Sequence, residues 1–458
     1  MNSPLDNRVK NPEQLMQLAK YIDQVRYEDL SPKTVATTKN FIMDCIAVGV
    51  AGCSYDATDK ALAAATNWGK GNVRVIGRKQ VTLPSASAAF VNGMQIHCLE
   101  WDGLHEPSVV IALCAPMGAL SAEIQRKPVS GKALIAAFVA AIEVAVFFGG
   151  SKEIAPRFFR PSIAGALAAT AGVAKLRGLS VESTAQALAL VYGQISGTMQ
   201  AHWEGSMALP MQVGVSARSA ISSVDMAEAG MTGPIDFISG QFGYFKLFET
   251  GVDIDKRFAA LSDAPKILEV AHKPYPAGRA TQAALTMWTG LLKDRSISAE
   301  DIKRITVDVP PLIELLVGRP AHAGMTPSYA RLCLKFVLPL MIIEGRVDPR
   351  QFKESVFSRQ DIVALGDRII INNDGNPDKN ALGPQQMLIE LNDGTQISAN
   401  CLHPLGSPAN PLSQEACNEK VIECLHLASH PMDHTAFITL CQDLEQLDDS
   451  AKLLDLVC

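Results

Sequence analysis

Residues 31–52 read SPKTVATTKNFIMDCIAVGVAG, and this stretch decides how the first half of the chain is interpreted. Ser31 and Pro32 form a helix-start signal, because a serine side chain caps free backbone N–H groups and proline fits the first helical turn. The apolar run that follows is rich in Ala and Gly, which let neighbouring helices approach closely. The stretch therefore predicts a helix from Pro32 within an all-helical domain.

Further helices and a later group of strands are predicted along the chain. Ala-rich apolar segments occupy 58–66, 85–100, 111–125, 131–148, 163–175, 182–193 and 208–229. After residue 265, alternating or apolar runs predict strands at 304–309, 368–372, 387–391 and 395–401, with helices at 278–294 and 327–345. Asn392-Asp393-Gly394 is a hairpin-turn signal between the last two strands. Helical pattern resumes after SPANPL at 407–412.

These patterns together predict a mixed fold. A large all-α domain is built from both chain ends, 1–264 and 405–458, and a smaller α+β domain spans 265–404. The length of 458 residues agrees with more than one hydrophobic core.

Composition and charge indicate which kinds of binding partner and which cellular compartment to expect. The net charge is −6 without a basic block, which argues against nucleic acid or an anionic membrane as partner. The ten cysteines form no C-x-x-C pair, and no signal-peptide pattern opens the chain, so a reduced cytoplasmic setting is expected. The apolar run 133–148 is too short for a membrane span and contains Glu143, which favours a buried helix.

Three polar clusters are candidate sites. The first, residues 92–107, places His97, Asp102, His105 and Glu106 together at the end of an apolar helix. Carboxylates beside imidazoles suit general acid–base chemistry, because each tunes the proton affinity of the other. The alternative is a helix end and loop whose polar groups only cap and hydrogen-bond.

The second cluster, residues 197–205, joins two apolar helices and contains Gln200, His202 and Glu204. A plain helix connection is the alternative. The third cluster lies at the expected domain junction and contains Lys273, Tyr275, Arg279 and Gln282. Two cations before a helix start form a natural carboxylate site, with surface positions on a linker as the alternative.

Metal and nucleotide sites are not predicted. His426, His430 and His434 are spaced four apart, but Pro431 should break the helix that would align them. The chain has no P-loop and no G-x-G-x-x-G after a strand.

Six ordered blocks of sequence resemble the MmgE/PrpD family, which holds 2-methylcitrate dehydratase, cis-aconitate decarboxylase and an iminodisuccinate epimerase-like group. The blocks are FIMDCIAVGVAG, NGMQIHCLEWDGLHE, FFRPSIAGALAATAGVAKLRGLS, GTMQAHWEG with MQVGVSAR, KPYPAGRATQ and TPSYARLCLKFV. The resemblance implies a homodimer with a cleft between its two domains. It also implies proton removal beside a carboxylate of a small di- or tricarboxylate, with neither a metal nor an organic cofactor.

The sequence departs from the family pattern at several positions. Arg160 replaces a histidine, Ala201 a lysine, Gln282 a histidine and Phe336 a tyrosine, and Val109–Ala112 lacks the family's V-V-H-P. The residues retained from the pattern are His97, Asp102, Lys273, Tyr275 and Arg279. These replacements argue against cis-aconitate decarboxylase activity and against a standard 2-methylcitrate dehydratase.

The leading hypothesis is a dehydratase-type lyase for a small hydroxy di- or tricarboxylate. Its predicted catalytic residues are Asp102, His105, His202, Glu204 and Lys273, and its predicted substrate-binding residues are His97, Glu106, Arg160, Gln200, Tyr275, Arg279 and Gln282. Arg160, Lys273 and Arg279 hold carboxylates in this scheme. His105, or Asp102 through it, removes the proton, and His202 or Glu204 assists the leaving group. The alternatives are a two-base epimerase or isomerase and a catalytically silent homologue that binds a carboxylate.

Overall fold

The computed structural model of the chain describes residues 12–150, 155–291 and 297–458. Helices form most of the part before residue 265: α1 (Pro12–Gln24), α2 (Pro32–Gly52), α3 (Asp56–Thr66), α4 (Ser85–His97), α5 (Cys114–Glu123), α6 (Gly131–Phe147), α7 (Arg160–Arg177), α8 (Val181–Tyr192), α9 (Gln200–Glu204), α10 (Ala208–Glu228), α11 (Tyr244–Leu247) and α12 (Ile254–Ala259). The predicted start of α2 is confirmed, since the Ser31 side chain accepts a hydrogen bond from the backbone N–H of Thr34.

Small residues set the packing of α4, α5 and α10 in this core. A Cβ on Gly118 would lie 2.6 Å from the Cα of Gly93, and one on Gly214 would lie 2.4 Å from the carbonyl oxygen of Phe90. Both distances are impossible for a side chain, so glycine is required at these helix crossings. Among the described residues, no single helix is long and apolar enough to cross a membrane, and α2 with α3 passes that test only as a pair bent by 89°.

The C-terminal tail completes the same helical core. It contains α19 (Gln414–His426), α20 (His434–Gln442) and α21 (Lys452–Asp455), and Val421, Cys424 and Leu453 share the apolar interior with the N-terminal helices. The ammonium of Lys420 lies 2.6 Å from Asp44 on α2, and both side chains are buried. The backbone N–H of Gly77 donates to the carbonyl of Val457 at 2.6 Å.

The residues between the N-terminal helices and the C-terminal tail form a second hydrophobic core. It contains α13 (Gln282–Leu291), α14 (Pro311–Val317), α15 (Pro327–Arg331), α16 (Leu334–Glu344), α17 (Glu354–Phe357) and α18 (Gln360–Asp367). Its four-stranded sheet has the order β6-β5-β7-β8, with β5 (Ile302–Val309), β6 (Ile369–Asn373), β7 (Gln385–Leu391) and β8 (Gln396–Cys401). β5 and β6 are parallel and the other neighbours are antiparallel, with Ile389 facing Ile305 and Ile397.

The structure corrects the sequence prediction in three places. Two further strand pairs were not predicted: β1 (Val73–Arg74) with β2 (Thr82–Leu83) in the helical part, and β3 (Leu104–His105) with β4 (Val270–Ala271), which joins the helical part to the segment after residue 265. The predicted helix 327–345 is broken after Arg331, and the predicted helix 278–294 begins with a 3-10 turn at Arg279–Thr281. Residues 292–294 lie outside the described residues, and the exact domain limits stay predictions.

Candidate active site

The β3–β4 pairing brings two of the predicted clusters together. Leu104 pairs with Ala271 and His105 with Val270, so the loop after α4 runs beside the segment that leads to Lys273. Trp101 fixes the loop from both sides: its indole N–H donates to the Pro274 carbonyl at 3.1 Å, and its own carbonyl accepts from the Lys420 ammonium at 2.8 Å.

A buried cluster of charged side chains lies where the loop after α4 meets the segment after β4. The Lys273 ammonium is 3.1 Å from Glu100 and 3.6 Å from Asp102, and the His97 ring lies 3.1 Å from Asp102 through Nδ1 and 3.4 Å from Glu100 through Nε2. All four side chains are nearly or fully buried. A protonated His97 makes the cluster two cations and two anions, which leaves no buried charge unpaired.

The charges in this cluster shift one another's pKa. Burial lowers the pKa of His97, but the carboxylates of Asp102 and Glu100 outweigh burial and raise it above its ordinary value. Burial raises the pKa of Glu100, but Lys273 and His97 outweigh it and hold that pKa below the ordinary carboxyl value. Burial also raises the pKa of Asp102, but His97 and Lys273 outweigh it and hold that pKa below its ordinary value. Each of these shifts favours the charged form of the side chain.

A cavity opens between the two cores beside this cluster. Its polar lining comes from Glu100, Lys273, His202, Arg279 and Arg160, and its apolar wall includes Leu104, Val109, Phe159, Val317, Leu332 and Leu382. A concave apolar site with a few convergent charged groups is the usual form of a small-molecule site. We take this cavity as the candidate active site.

The two arginines of the cavity differ in what they can offer a ligand. Arg279 donates through Nε to Glu106 at 2.6 Å and through Nη1 to two backbone carbonyls, while its buried Nη2 makes no hydrogen bond within the described residues. Arg160 is bound through both edges, by Glu249 at 2.5 and 3.1 Å and by Asn380 at 2.8 Å. Arg279 is therefore the better donor to a ligand carboxylate.

His202 reaches the cavity from α9. The guanidinium of Arg319 donates to His202 Nδ1 at 3.1 Å and to the His202 carbonyl at 3.0 Å. Burial first, and then the positive charge of Arg319, lower the pKa of His202 to about 4. The imidazole is therefore neutral at neutral pH.

Two family models cover most of the chain. The MmgE/PrpD N-terminal domain matches residues 16–257, and the MmgE/PrpD C-terminal domain matches residues 275–446. The chain belongs to the MmgE/PrpD family. This confirms the resemblance drawn from the six sequence blocks and the two-domain architecture.

Relatives in this family include several enzymes. Cis-aconitate decarboxylase of Homo sapiens is 25% identical over 452 residues, covering 93% of this chain and 91% of the relative. The Mus musculus enzyme is 26% identical, covering 95% and 91%, and the Aspergillus terreus enzyme is 23% identical, covering 94% and 93%. Since cis-aconitate decarboxylase is a lyase, the comparisons support an enzyme of lyase type.

Arg160 and Gln282, two of the positions that the sequence predicts to depart from the family pattern, have structural partners. Arg160 begins α7 and joins Glu249 to Asn380, which lies in the loop between β6 and β7. Gln282 donates to the carbonyls of Tyr275 and Ala277 and so closes the turn before α13.

Several predicted site residues lie outside the cavity lining. His105 is buried, with Nδ1 2.7 Å from the Ser108 hydroxyl and Nε2 3.1 Å from Glu269. It lines a separate surface pocket with Ser108. Gln200 and Glu204 are exposed and hydrogen-bond to each other. Tyr275 packs at the edge of the second core. Their predicted roles stay predictions.

The structure also brings in residues that were not singled out from the sequence. Glu100 lies within the first cluster, residues 92–107, but the sequence assigns it no role, and Arg319 and Glu249 belong to no motif. The usable signal in the sequence is the predicted helical segment 85–100, in which Glu100 follows His97 by three residues and would share one side of a turn, although α4 ends at His97 in the structure.

One set of side chains has metal-ligand types. His97, Asp102 and Cys114 offer ligand atoms within 4.8 Å of one another, and all three are buried. However, burial and then Asp102 raise the pKa of the Cys114 thiol well above its ordinary value, and the Lys273 ammonium lies 3.6 Å from Asp102. A neutral thiol and a neighbouring ammonium suit this set poorly to a cation.

Proposed function

We propose that this protein is a cofactor-independent lyase, active as a cytoplasmic homodimer, that removes water from a small hydroxy di- or tricarboxylate. The observation that carries the proposal is the Glu100–Lys273 pair at 3.1 Å, which lines the same cavity as Arg279. A carboxylate base, an ammonium and a guanidinium with an uncommitted N–H are the groups that such an elimination needs.

The proposed reaction begins with substrate binding. A substrate carboxylate accepts from Nη2 of Arg279, a buried donor of the cavity lining that has no hydrogen-bond partner among the described residues. An ionised Glu100 then takes the proton from the carbon next to a carboxylate. The C–H electron pair moves into that carboxylate as an enolate, whose negative charge the Lys273 ammonium stabilises.

Elimination follows from the enolate. Its electrons form the carbon–carbon double bond as the neighbouring C–O bond breaks, and the departing hydroxyl takes a proton from Lys273 and leaves as water. Glu100, now protonated and 3.1 Å from the lysine nitrogen, returns the proton to it. Both groups end in their starting charge states, so no external acid or base is consumed.

Decarboxylation is the second candidate, because relatives across nearly the whole chain are named cis-aconitate decarboxylase. Both reactions place negative charge on a carbon beside a carboxylate, so Lys273 and Arg279 would serve either one. They differ in the bond that breaks, and therefore in whether carbon dioxide or water is released.

The test is to incubate the full-length protein with 2-methylcitrate, citrate, cis-aconitate and related acids in heavy water and to follow the products by NMR. A new alkene signal without carbon dioxide supports dehydration. Carbon dioxide release supports decarboxylation, and deuterium exchange without elimination supports an epimerase. Absence of any exchange or product with all acids contradicts the proposal and leaves the silent carboxylate-binding homologue.

Variants assign the roles. Glu100→Gln removes the base and is expected to lower kcat by about 10²–10⁴-fold. Glu390→Gln is the matched control, since Glu390 pairs with Lys303 and Arg304 on the surface of the sheet. His105→Ala tests the prediction from sequence: a loss as large as that of Glu100→Gln, with the fold intact, would return the role of base to His105.

A further inference from the structure

His202 is a buried histidine in the lining of the candidate active site. Its ring nitrogen Nδ1 and its backbone carbonyl both accept hydrogen bonds from Arg319. His202 lines the cavity, and Nε2 is the ring nitrogen left for a ligand there.

The chemistry of arginine decides the state of the ring. A guanidinium has only donors and keeps its proton in proteins, so His202 Nδ1 must present a lone pair to it. In a neutral imidazole the proton then sits on Nε2. Protonation of the ring would place a second N–H on Nδ1, facing the N–H of Arg319, and would set two cations 3.1 Å apart.

Arg319 is itself held in place. It donates to the carbonyl of Leu316 at 3.2 Å, and its guanidinium stacks 4.7 Å from the ring of Tyr329. Gly205, at the end of α9, has φ +66, and a Cβ there would lie 2.4 Å from the Tyr329 Cβ. The end of α9 therefore packs directly on Tyr329, and it presents His202 to Arg319.

We propose that Arg319 is a positioning residue that keeps His202 neutral and protonated on Nε2, so that His202 acts as a hydrogen-bond donor to the substrate and not as a base. This rests on the proposed function. The donor would bind the oxygen that gains negative charge as the enolate forms, as other enzymes use a neutral imidazole. Among the described residues, the other charged or titratable groups that act on the ring are Glu100 and His97.

Nitrogen NMR of the resting protein tests the charge state without any substrate. At neutral pH, His202 should show a protonated Nε2 and an unprotonated Nδ1, and it should stay neutral when the pH falls to about 5. Arg319→Gln removes the cation, so His202 should then protonate at a higher pH. Arg304→Gln, on the sheet surface, should leave His202 unchanged. An imidazolium or an Nδ1-protonated ring in the wild type would overturn the proposal.

Turnover tests the role. His202→Gln keeps an N–H near the position of Nε2 but cannot titrate, so kcat should stay within about tenfold of the wild type, whereas His202→Ala should lose about 10²–10³-fold. Arg319→Lys should retain more activity than Arg319→Gln. Equal loss in the Gln and Ala variants of His202, with both folded, would assign acid–base chemistry to His202 and overturn the proposal. If no acid is turned over, the proposed function fails while the NMR result still stands.

Discussion

Glu100 adopts a left-handed backbone conformation, with φ +53, directly before Trp101 and Asp102. A side chain in this region costs roughly 1–2 kcal/mol, and such conformations persist where the surroundings hold them. Here the Lys273 pair and the anchored Trp101 provide that hold. This backbone conformation orients the Glu100 side chain toward the cavity.

The first prediction concerns this strain. Glu100→Ala and Glu100→Gly remove the same carboxylate, but only glycine relieves the left-handed backbone. Glu100→Gly should therefore be more stable than Glu100→Ala by about 1 kcal/mol in urea unfolding. At an ordinary helical position the order is reversed, so the same pair at Ala63 on α3 is the control. Equal stability of the two Glu100 variants would mean that the conformation relaxes.

The second prediction concerns His272, whose ring stacks on Phe41 at 4.0 Å and whose enclosed Nε2 makes no hydrogen bond within the described residues. Burial lowers its pKa from 6.5 to about 4. A histidine with a depressed folded pKa contributes stability above its unfolded pKa, and this is lost as the pH falls toward about 4. The free energy of unfolding should therefore fall as the pH is lowered from about 6.5 to 4. The fall should be less steep in His272→Gln. The control variant His403→Gln, at an exposed position, should follow the wild type.

The sequence predicted most of the polar residues near the cavity, but it assigned their roles from residue type and from closeness in sequence. His105 and Glu106 lie close to Asp102 in sequence, yet within β3 (Leu104–His105) Leu104 lines the cavity while His105 contacts Glu269 outside it. The reach of a side chain depends on backbone dihedrals such as those of Glu100, which composition and spacing do not encode.

At the scale of elements, α19 is tied to the candidate site. Lys420 contacts Asp44 on α2 at 2.6 Å and the Trp101 carbonyl at 2.8 Å, and it is buried. The helix therefore connects the end of the chain to the loop that holds Glu100 and Asp102.

The third prediction follows from this contact. Lys420→Met leaves the Asp44 carboxylate buried and unpaired, which should destabilise the protein by about 3–5 kcal/mol. The double variant Asp44→Leu/Lys420→Met should recover much of that loss, because it removes both buried charges. Lys303→Met, at an exposed pair with Glu390, should change the unfolding free energy by at most about 1 kcal/mol. Chemical denaturation measures all three, and a double variant no better than the single one would contradict this account.

The elements with a strong periodic signal were predicted well. The strand at 304–309 lies within β5, and the hairpin at Asn392–Gly394 joins β7 to β8, with Gly394 at φ +87. The β3–β4 pair could not be predicted, because two-residue strands more than 150 residues apart carry no periodicity. That pair nevertheless places Lys273 beside Asp102.

At the scale of the whole molecule, large apolar side chains remain on the surface of the single chain. Phe242 is 72% exposed, Leu402 63% and Trp203 62%. Single exposed apolar side chains are ordinary on a protein surface, so the homodimer prediction rests on the family resemblance. The fourth prediction is that sedimentation equilibrium gives about twice the chain mass of 49.1 kDa. A single species at the mass of one chain would contradict the homodimer.

The pairing of Gly77 with Val457 has a consequence for the order of synthesis. During translation the N-terminal helices emerge from the ribosome before α19 to α21 are synthesised. Part of the apolar interior of those helices is therefore uncovered until the tail is complete. Lys420 reaches Trp101 only after the α+β domain has emerged. A nascent chain, or one ended early by a premature stop codon, therefore lacks the contact between Lys420 and Trp101, and we expect it to expose apolar surface that promotes aggregation.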